Sequence, residues 1–109
     1  MTRVEITFHT VGNRSREGGT MPVARGQGMV TEVMEVDGAG AATATRATGD
    51  DTAFARVWSE GEVWVATGPE PAAAVPAIGA SGAGWRVPAG AAVDIALEAG
   101  DRVAVAEIA

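Results

Sequence analysis

The sequence contains no cysteine, no lysine and no tyrosine, and it has a single histidine, His9. Without cysteine the chain can form neither a disulfide framework nor a thiolate site. One imidazole cannot supply the several histidine ligands of a typical zinc site. No run approaches the about 20 apolar residues that span a bilayer, and the alternating start MTRVEITFHTVG is not typical of a signal peptide. These absences predict a soluble protein made in the cytoplasm.

The charge balance is acidic, with 14 carboxylate side chains against eight arginines and a formal net charge of −6. Binding to nucleic acid through phosphates needs a clustered positive surface, which scattered arginines do not provide. We therefore expect neither a nucleic-acid partner nor a membrane partner. The length of 109 residues allows one domain with a modest core, and it leaves little room for a large internal active site.

Short stretches of alternating apolar and polar residues recur along the chain, which is the pattern of half-buried β-strands. In residues 54–58, for example, Phe54, Arg56 and Trp58 share one face. Residues 63–66 are apolar on both faces, so we expect a central strand there with Trp64 in the core. The predicted strands lie in 4–8, 29–36, 43–46, 54–58, 63–66, 85–87, 93–97 and 103–105.

Turn signals separate these strands about every 8–12 residues, which favours a sandwich or barrel. The predicted fold is all-β: a small antiparallel β-sandwich or jelly-roll-like barrel with an irregular N-terminal arm. Residues 1–28 would form the first strand and the Gly/Arg-rich arm, and residues 29–109 the sandwich body of one single domain.

Two stretches lack strand periodicity and are predicted contact elements. The stretch GNRSREGGTMPVARGQG, residues 12–28, is too long for an ordinary loop and is interpreted as an arm that a partner orders. The stretch GPEPAAAVPAIGASGAG, residues 68–84, is rich in small residues and proline, so it should lie extended on a surface or against another chain. The candidate interface residues are Arg14, Arg16, Arg25, Pro69, Pro71, Pro76 and Trp85.

The residue types that carry chemistry are sparse. Asp50 and Asp51 form a carboxylate pair, but beside Gly49 they are more typical of a solvated turn. His9 falls on the polar face of the first strand without a nucleophile motif, which favours a surface or interface role. The tryptophans could stack on a sugar, although two of the three are expected to fill the core. We predict a protein that is not an enzyme, with no catalytic residue, cofactor or metal.

The order of three segments in residues 30–109 resembles small all-β virion proteins of tailed bacteriophages, of the head decoration, cement or head-fibre type. These segments are VTEVMEV, then ARVWSEGEVWVATGPEPAA, then WRVPAGAAVDIALEAGDRVAVAEI. Such proteins often combine a strand ending in a GP-x-P corner, a PAG turn and a closing GD-[RK]-[VI]-A-V hairpin. Residues 1–28 match no such pattern.

The resemblance implies a homotrimer that binds the major capsid protein on the outer head surface of the virion and stabilises it. It implies no catalytic residue. The positions that it marks as fold-defining are Trp64, Pro69, Pro71, Pro88, Gly90, Gly100 and Asp101. Independently, association of copies would cover exposed sheet edges and enlarge the buried core of a small β-protein.

Other functions stay open from the sequence. Within a virion the chain could instead be a head-fibre base, a tail or baseplate component, or a carbohydrate-contacting β-module. Outside that class it could be a small β-barrel enzyme of the cupin type, although the several His/Glu metal ligands of a cupin are missing. A bacterial surface or assembly module is a further alternative, which the missing signal peptide disfavours.

Overall fold

The computed structural model of the protein describes residues 1–13, 22–24, 29–47 and 53–108. These residues form strands and no helix, in agreement with the period-two pattern. The strands are β1 (Thr2–Asn13), β2 (Pro22–Ala24), β3 (Val30–Val36), β4 (Ala41–Ala42), β5 (Ala53–Ser59), β6 (Val63–Gly68), β7 (Trp85–Val87), β8 (Ala92–Ala96) and β9 (Arg102–Glu107). Since no helix is described, the described residues include no helix long and apolar enough to cross a membrane.

The strands form two antiparallel sheets. In the first, β1 pairs with β5 on one side and with β3 and β2 on the other, and β8 lies beyond β5. The second sheet has the order β4-β9-β6-β7. The fold is therefore all-β with the character of a small β-sandwich, as predicted. The jelly-roll subtype stays a prediction.

The core lies between the sheets and consists largely of valine. In β5 and β6 and in the first half of β1, the inward residues alternate with outward ones, because successive side chains of a strand point to opposite faces. Ile6 on β1 and Val57 on β5 face Val65 on β6 and Val105 on β9, and all four are fully buried. β-branched side chains suit this setting, since their restricted χ1 costs little on a pleated surface.

The turns that the sequence marked do hold the strands in place. The N–H of Gly90 donates to the carbonyl of Ser59 at 2.8 Å, which ties the PAG turn to the end of β5. The carboxylate of Asp101 accepts from the N–H of Glu98 at 3.0 Å and so closes the turn before β9. β6 ends at Gly68, directly before Pro69, as the proline corner predicts.

Three local predictions were wrong. The strand expected at 43–46 lies earlier, at Ala41–Ala42, because the main chain at Ala44 and Thr45 bonds to the Glu32 side chain instead of a neighbouring strand. In the segment 12–28, predicted as irregular, residues 12–13 and 22–24 belong to an antiparallel ladder between β1 and β2. The remainder of that segment lies outside the described residues.

The third correction concerns Trp64. β6 is a central strand, between β9 and β7, as predicted. Its inward positions are Val63 and Val65, which are fully buried, so the alternation directs Trp64 to the outer face. Trp64 is half-buried there. Although both faces of β6 are apolar, only the face with Val63 and Val65 belongs to the central core.

Candidate interaction surface

The connection between β6 and β7 forms a long loop, residues 69–84, that folds over the outer face of the second sheet. On that face Ala66, Ala104 and Ala106 are each at most 3% exposed, although they point away from the valine core. Residues 71–73 line a groove together with Ala104. The predicted extended, surface-lying segment is thus present, and it lies against the chain's own sheet.

An arginine-carboxylate cluster anchors the start of this loop. Glu70 lies between Arg46 at 3.3 Å and Arg102 at 3.4 Å. Arg46 also donates to the carbonyls of Pro69 and Gly100, each at 3.0 Å. The Glu70 side chain is 76% exposed, so its ion pairs add little stability. Their structural effect is to orient the loop as it leaves β6.

The end of the loop is held by Trp64. Its indole N–H donates to the carbonyl of Ala83 at 3.0 Å. The backbone then passes so close to β6 that a Cβ at Gly84 would collide with the main-chain oxygen of Val65. Within the loop, a Cβ at Gly82 would lie 2.9 Å from Pro76, so the outgoing and returning limbs touch.

The tip of the loop presents Ile78 to solvent. The N–H of Ala80 donates to the carbonyl of Ala77 at 2.9 Å, which closes a turn around Ile78 and Gly79. Gly79 has φ 85°, a conformation that glycine adopts without steric cost. The Ile78 side chain is fully exposed, at 108% of its reference area, and nearby Val75 is 46% exposed. An apolar side chain is therefore displayed on a tight turn.

The groove beside the base of the loop has a volume of about 200 Å³. The turn before β4, β4 itself, the loop and β9 supply its walls and floor. All lining side chains are small or absent, from Ala39, Gly40, Ala41, Ala42, Pro71, Ala72, Ala73 and Ala104. The groove thus carries no charged side chain.

The candidate interface residues divide into three groups. Arg14, Arg16 and Arg25 lie outside the described residues. Pro69, Pro71 and Pro76 all belong to the loop, Pro69 exposed and the other two half-buried. Trp85 instead packs, half-buried, against the core. It pairs with Val65 across β6 and β7, which places it on the inward face of β7.

The other two tryptophans lie on opposite outer faces of the sandwich, Trp58 on the first sheet and Trp64 on the second. The prediction that two tryptophans fill the core is therefore wrong, since only Trp85 packs against it, and partly. A single stacking platform made of all three is also ruled out by this placement.

The outer face of the first sheet carries an exposed ion pair. Arg56 and Asp94 face each other across β5 and β8 in a bidentate ion pair, with N–O distances of 2.9 and 3.1 Å. Hydrogen bonding and the positive charge of Arg56 lower the pKa of Asp94 despite partial burial. This pair is exposed and orients the strands more than it stabilises them.

His9 lies on the same face but is only 7% exposed, with its ring against that of Phe54 at a centroid distance of 3.4 Å. Among the described residues, neither of its ring nitrogens has a hydrogen-bond partner. Burial lowers the pKa of His9; the charge of Asp94 raises it and that of Arg56 lowers it further. The predicted surface position of His9 is thus wrong, because burial leaves its ring inaccessible.

No protein-family model, no curated protein and no solved structure matches the chain.

The carboxylate pair Asp50 and Asp51 lies outside the described residues. In the described part of the chain, no three His, Asp or Glu side chains come together as metal ligands. Two residues of this loop were not predicted from the sequence, Ile78 and the anchoring Glu70. Ile78 could have been noticed as the largest aliphatic side chain in the uncharged run from 71 to 85.

Proposed function

We propose that the protein is a non-catalytic structural module of a virion, which decorates and cements the outer head surface of a tailed phage or phage-like particle as an oligomer. The observation that supports this function best is the held loop 69–84, which displays the fully exposed Ile78 on a tight turn. Val75 and Ile78 are both exposed on this loop, and apolar side chains gathered on one surface mark protein contacts more than singly scattered ones do. The resemblance in the order of the segments adds the virion context.

A rigid sandwich suits cementing for a physical reason. A body that touches two neighbouring capsid subunits links them, and many copies act together through avidity even when each contact is weak. Two anchoring points at the loop's ends limit how much order the loop must gain when it binds. Less ordering on binding leaves more of the contact free energy as affinity.

The first test is co-sedimentation of the purified protein with heads that contain the major capsid protein of the same genome. Sedimentation with the heads, saturating at a fixed ratio of protein to capsid subunit, is the expected result. No sedimentation, with the protein folded by circular dichroism, would contradict the capsid function.

The arm has its own test. Replacing Arg14, Arg16 and Arg25 together by serine leaves the ladder between β1 and β2 in place, which deletion of 12–28 would not. If the arm attaches the protein to the capsid, the triple variant stays folded and loses head binding. Unchanged binding would contradict a role of these arginines in attachment.

A carbohydrate-contacting module is the second candidate, and Trp58 is the observation that favours it. Its ring is half-buried on the outer face of the first sheet, directly across from Glu5, with the Arg56–Asp94 pair on the same face. Aromatic rings beside polar groups are suited to stacking on sugars and hydrogen-bonding to them. Binding to a glycan array that Trp58→Ala abolishes would support this candidate. Trp85→Ala is unsuited to the test, because it also removes core packing.

A further inference from the structure

Strand β3 lies at one side of the first sheet and, among the described strands, pairs with β1 alone. Its seven residues follow the register of β1 without a bulge and include no proline or lysine. Proteins commonly protect an edge strand by shortening it, by a bulge, or by placing proline or lysine on it. β3 has none of these three devices, so it presents a long and regular edge.

The hydrogen-bond pattern of β1 shows which main-chain groups of β3 are free. The carbonyl of Arg3 accepts from the N–H of Glu60 at 3.1 Å, directly after β5, so Arg3 directs its main chain toward β5. Alternate residues of a central antiparallel strand bond to opposite neighbours, and Val4 therefore bonds to β3, opposite Met34. The residues of β3 with N–H and C=O groups directed away from β1 are then Thr31, Val33 and Glu35. We call these groups the β3 edge.

The β3 edge is accessible in the structure. Within the described part of the chain, no residue bonds to its main-chain groups. Ala44 and Thr45 bond to the Glu32 side chain and leave those groups open. The Val33 side chain is 52% exposed and that of Val30 is 49% exposed. The edge therefore offers main-chain hydrogen bonds and apolar surface together.

We propose that the β3 edge accepts an extended segment of a different protein as an additional antiparallel strand. That segment would place an apolar side chain opposite Val33 and a basic side chain opposite Glu35. Such strand addition satisfies the free main-chain groups and takes its specificity from alternate side chains. The inference concerns another surface than loop 69–84 and does not depend on attachment to a capsid.

Charge determines the class of partner. Both charged side chains of β3 are carboxylates, and Glu32 already binds the chain at 44–45. Glu35 has no ion-pair partner among the described residues, because its neighbour Arg3 pairs with Glu5 instead. A basic residue opposite Glu35 forms a favourable cross-strand pair, whereas a like charge there is destabilising. The net charge of −6 also attracts a basic segment and repels a second copy.

Amide hydrogen exchange followed by NMR tests whether the edge is free. In the protein alone, the amides of the β3 edge should exchange rapidly, while those of Glu32 and Met34, which bond to β1, should be protected. Protection of the edge amides in dilute protein would show that the edge is already paired and would overturn the proposal. Protection that rises with protein concentration would identify a second copy as the occupant and would overturn it equally.

The synthetic peptide acetyl-TKTVTKT-amide is the probe for the added strand. With its valine opposite Val33, one lysine lies opposite Glu35 and the other opposite Thr31. Isothermal titration of the wild-type chain with this peptide should show saturable binding, and exchange should slow at the three edge amides of β3. Absence of binding, or protection elsewhere on the molecule instead, would contradict strand addition at β3.

Exchanging the charges makes the test specific. Glu35→Lys should weaken binding of this peptide about tenfold or more and favour the acidic counterpart acetyl-TETVTET-amide. Glu98→Lys is the matched control, because it changes the net charge equally at an exposed position in the turn before β9. It should keep the preference for the basic peptide, and circular dichroism checks that both variants fold. Equal effects of the two variants would reduce the binding to overall charge and overturn a site at β3.

Discussion

Trp64 and Ala83, nineteen residues apart in the chain, are joined by a hydrogen bond of 3.0 Å from the indole N–H to the main-chain carbonyl. This bond closes the loop between β6 and β7 onto the sheet that it leaves. Trp64, on the outer face of β6, thus holds the end of the loop against the sheet. Its cross-strand neighbours are Arg86 and Ala106, and its N–H supplies the bond.

The first prediction concerns that bond. Trp64→Phe keeps an aromatic ring but removes the donor, so it should lower the free energy of unfolding by about 0.5–1.5 kcal/mol. Trp58→Phe is the matched control, since among the described residues the indole N–H of Trp58 has no hydrogen-bond partner. Urea titrations of both variants measure the effect. Equal stability of the two would contradict a fastening role for Trp64.

The second prediction separates backbone conformation from close approach. Gly79 and Gly84 both have positive φ, at 85° and 105°. A Cβ at Gly79 meets nothing within 4 Å, whereas one at Gly84 collides with β6. Gly79→Ala should therefore cost about 1–2 kcal/mol, from the backbone conformation alone. Gly84→Ala should cost about 3 kcal/mol or more, because the loop must also shift. Thermal unfolding compares them, and a smaller loss for Gly84→Ala would contradict the described approach.

The third prediction concerns Glu32 on β3, whose carboxylate accepts bonds from the N–H groups of Ala44 and Thr45 and from the Thr45 hydroxyl, at 2.7 to 3.0 Å. Burial raises the pKa of Glu32, but these bonds and the charge of Arg102 lower it below its ordinary 4.5. The stabilisation is thus complete above about pH 4.5 and is lost as the pH falls through the folded-state pKa.

Glu32→Gln should accordingly cost about 1–2 kcal/mol at pH 7 and flatten the loss of stability below pH 4.5. Glu35→Gln, an exposed change on the same strand, is the control and should have little effect. Urea midpoints between pH 3 and pH 7 provide the measurement. Parallel pH profiles for wild type and Glu32→Gln would show that protonation of Glu32 does not cause the loss of stability at low pH.

The fourth prediction concerns His9, which is buried and whose ring nitrogens have no partner among the described residues. Its pKa is lowered from the ordinary 6.5, so the unfolded chain binds a proton more readily than the folded one. Stability should therefore fall as the pH drops below about 6.5, before the carboxylates titrate.

His9→Phe removes the unpartnered polar ring while retaining an aromatic contact with Phe54. It should leave the protein as stable at pH 7, or more stable by about 1 kcal/mol, and abolish the loss that begins below about pH 6.5. Calorimetry at several pH values is the measurement. A large destabilisation at pH 7 would show that the histidine nitrogens have partners after all.

The fold class followed from the sequence because strand alternation is local. Val4, Ile6 and Phe8 mark one face of β1 whatever the rest of the chain does, and proline at position 69 ends β6 by removing a donor. The central position of β6 also followed from its apolar composition. These features depend on neighbours within a few residues, and the sequence contains them in full.

Where both faces of a strand are apolar, only the tertiary structure decided which side met the core. Trp64 and Trp85 are both apolar residues on short strands, yet pairing of Trp85 with Val65 directs Trp85 inward while Trp64 faces out. Long-range contacts also decided that Glu32 holds the chain at Ala44 and that Glu70 lies between two arginines. Such contacts depend on how two sheets stack, so the alternation that determined each strand could not determine which surface the molecule displays.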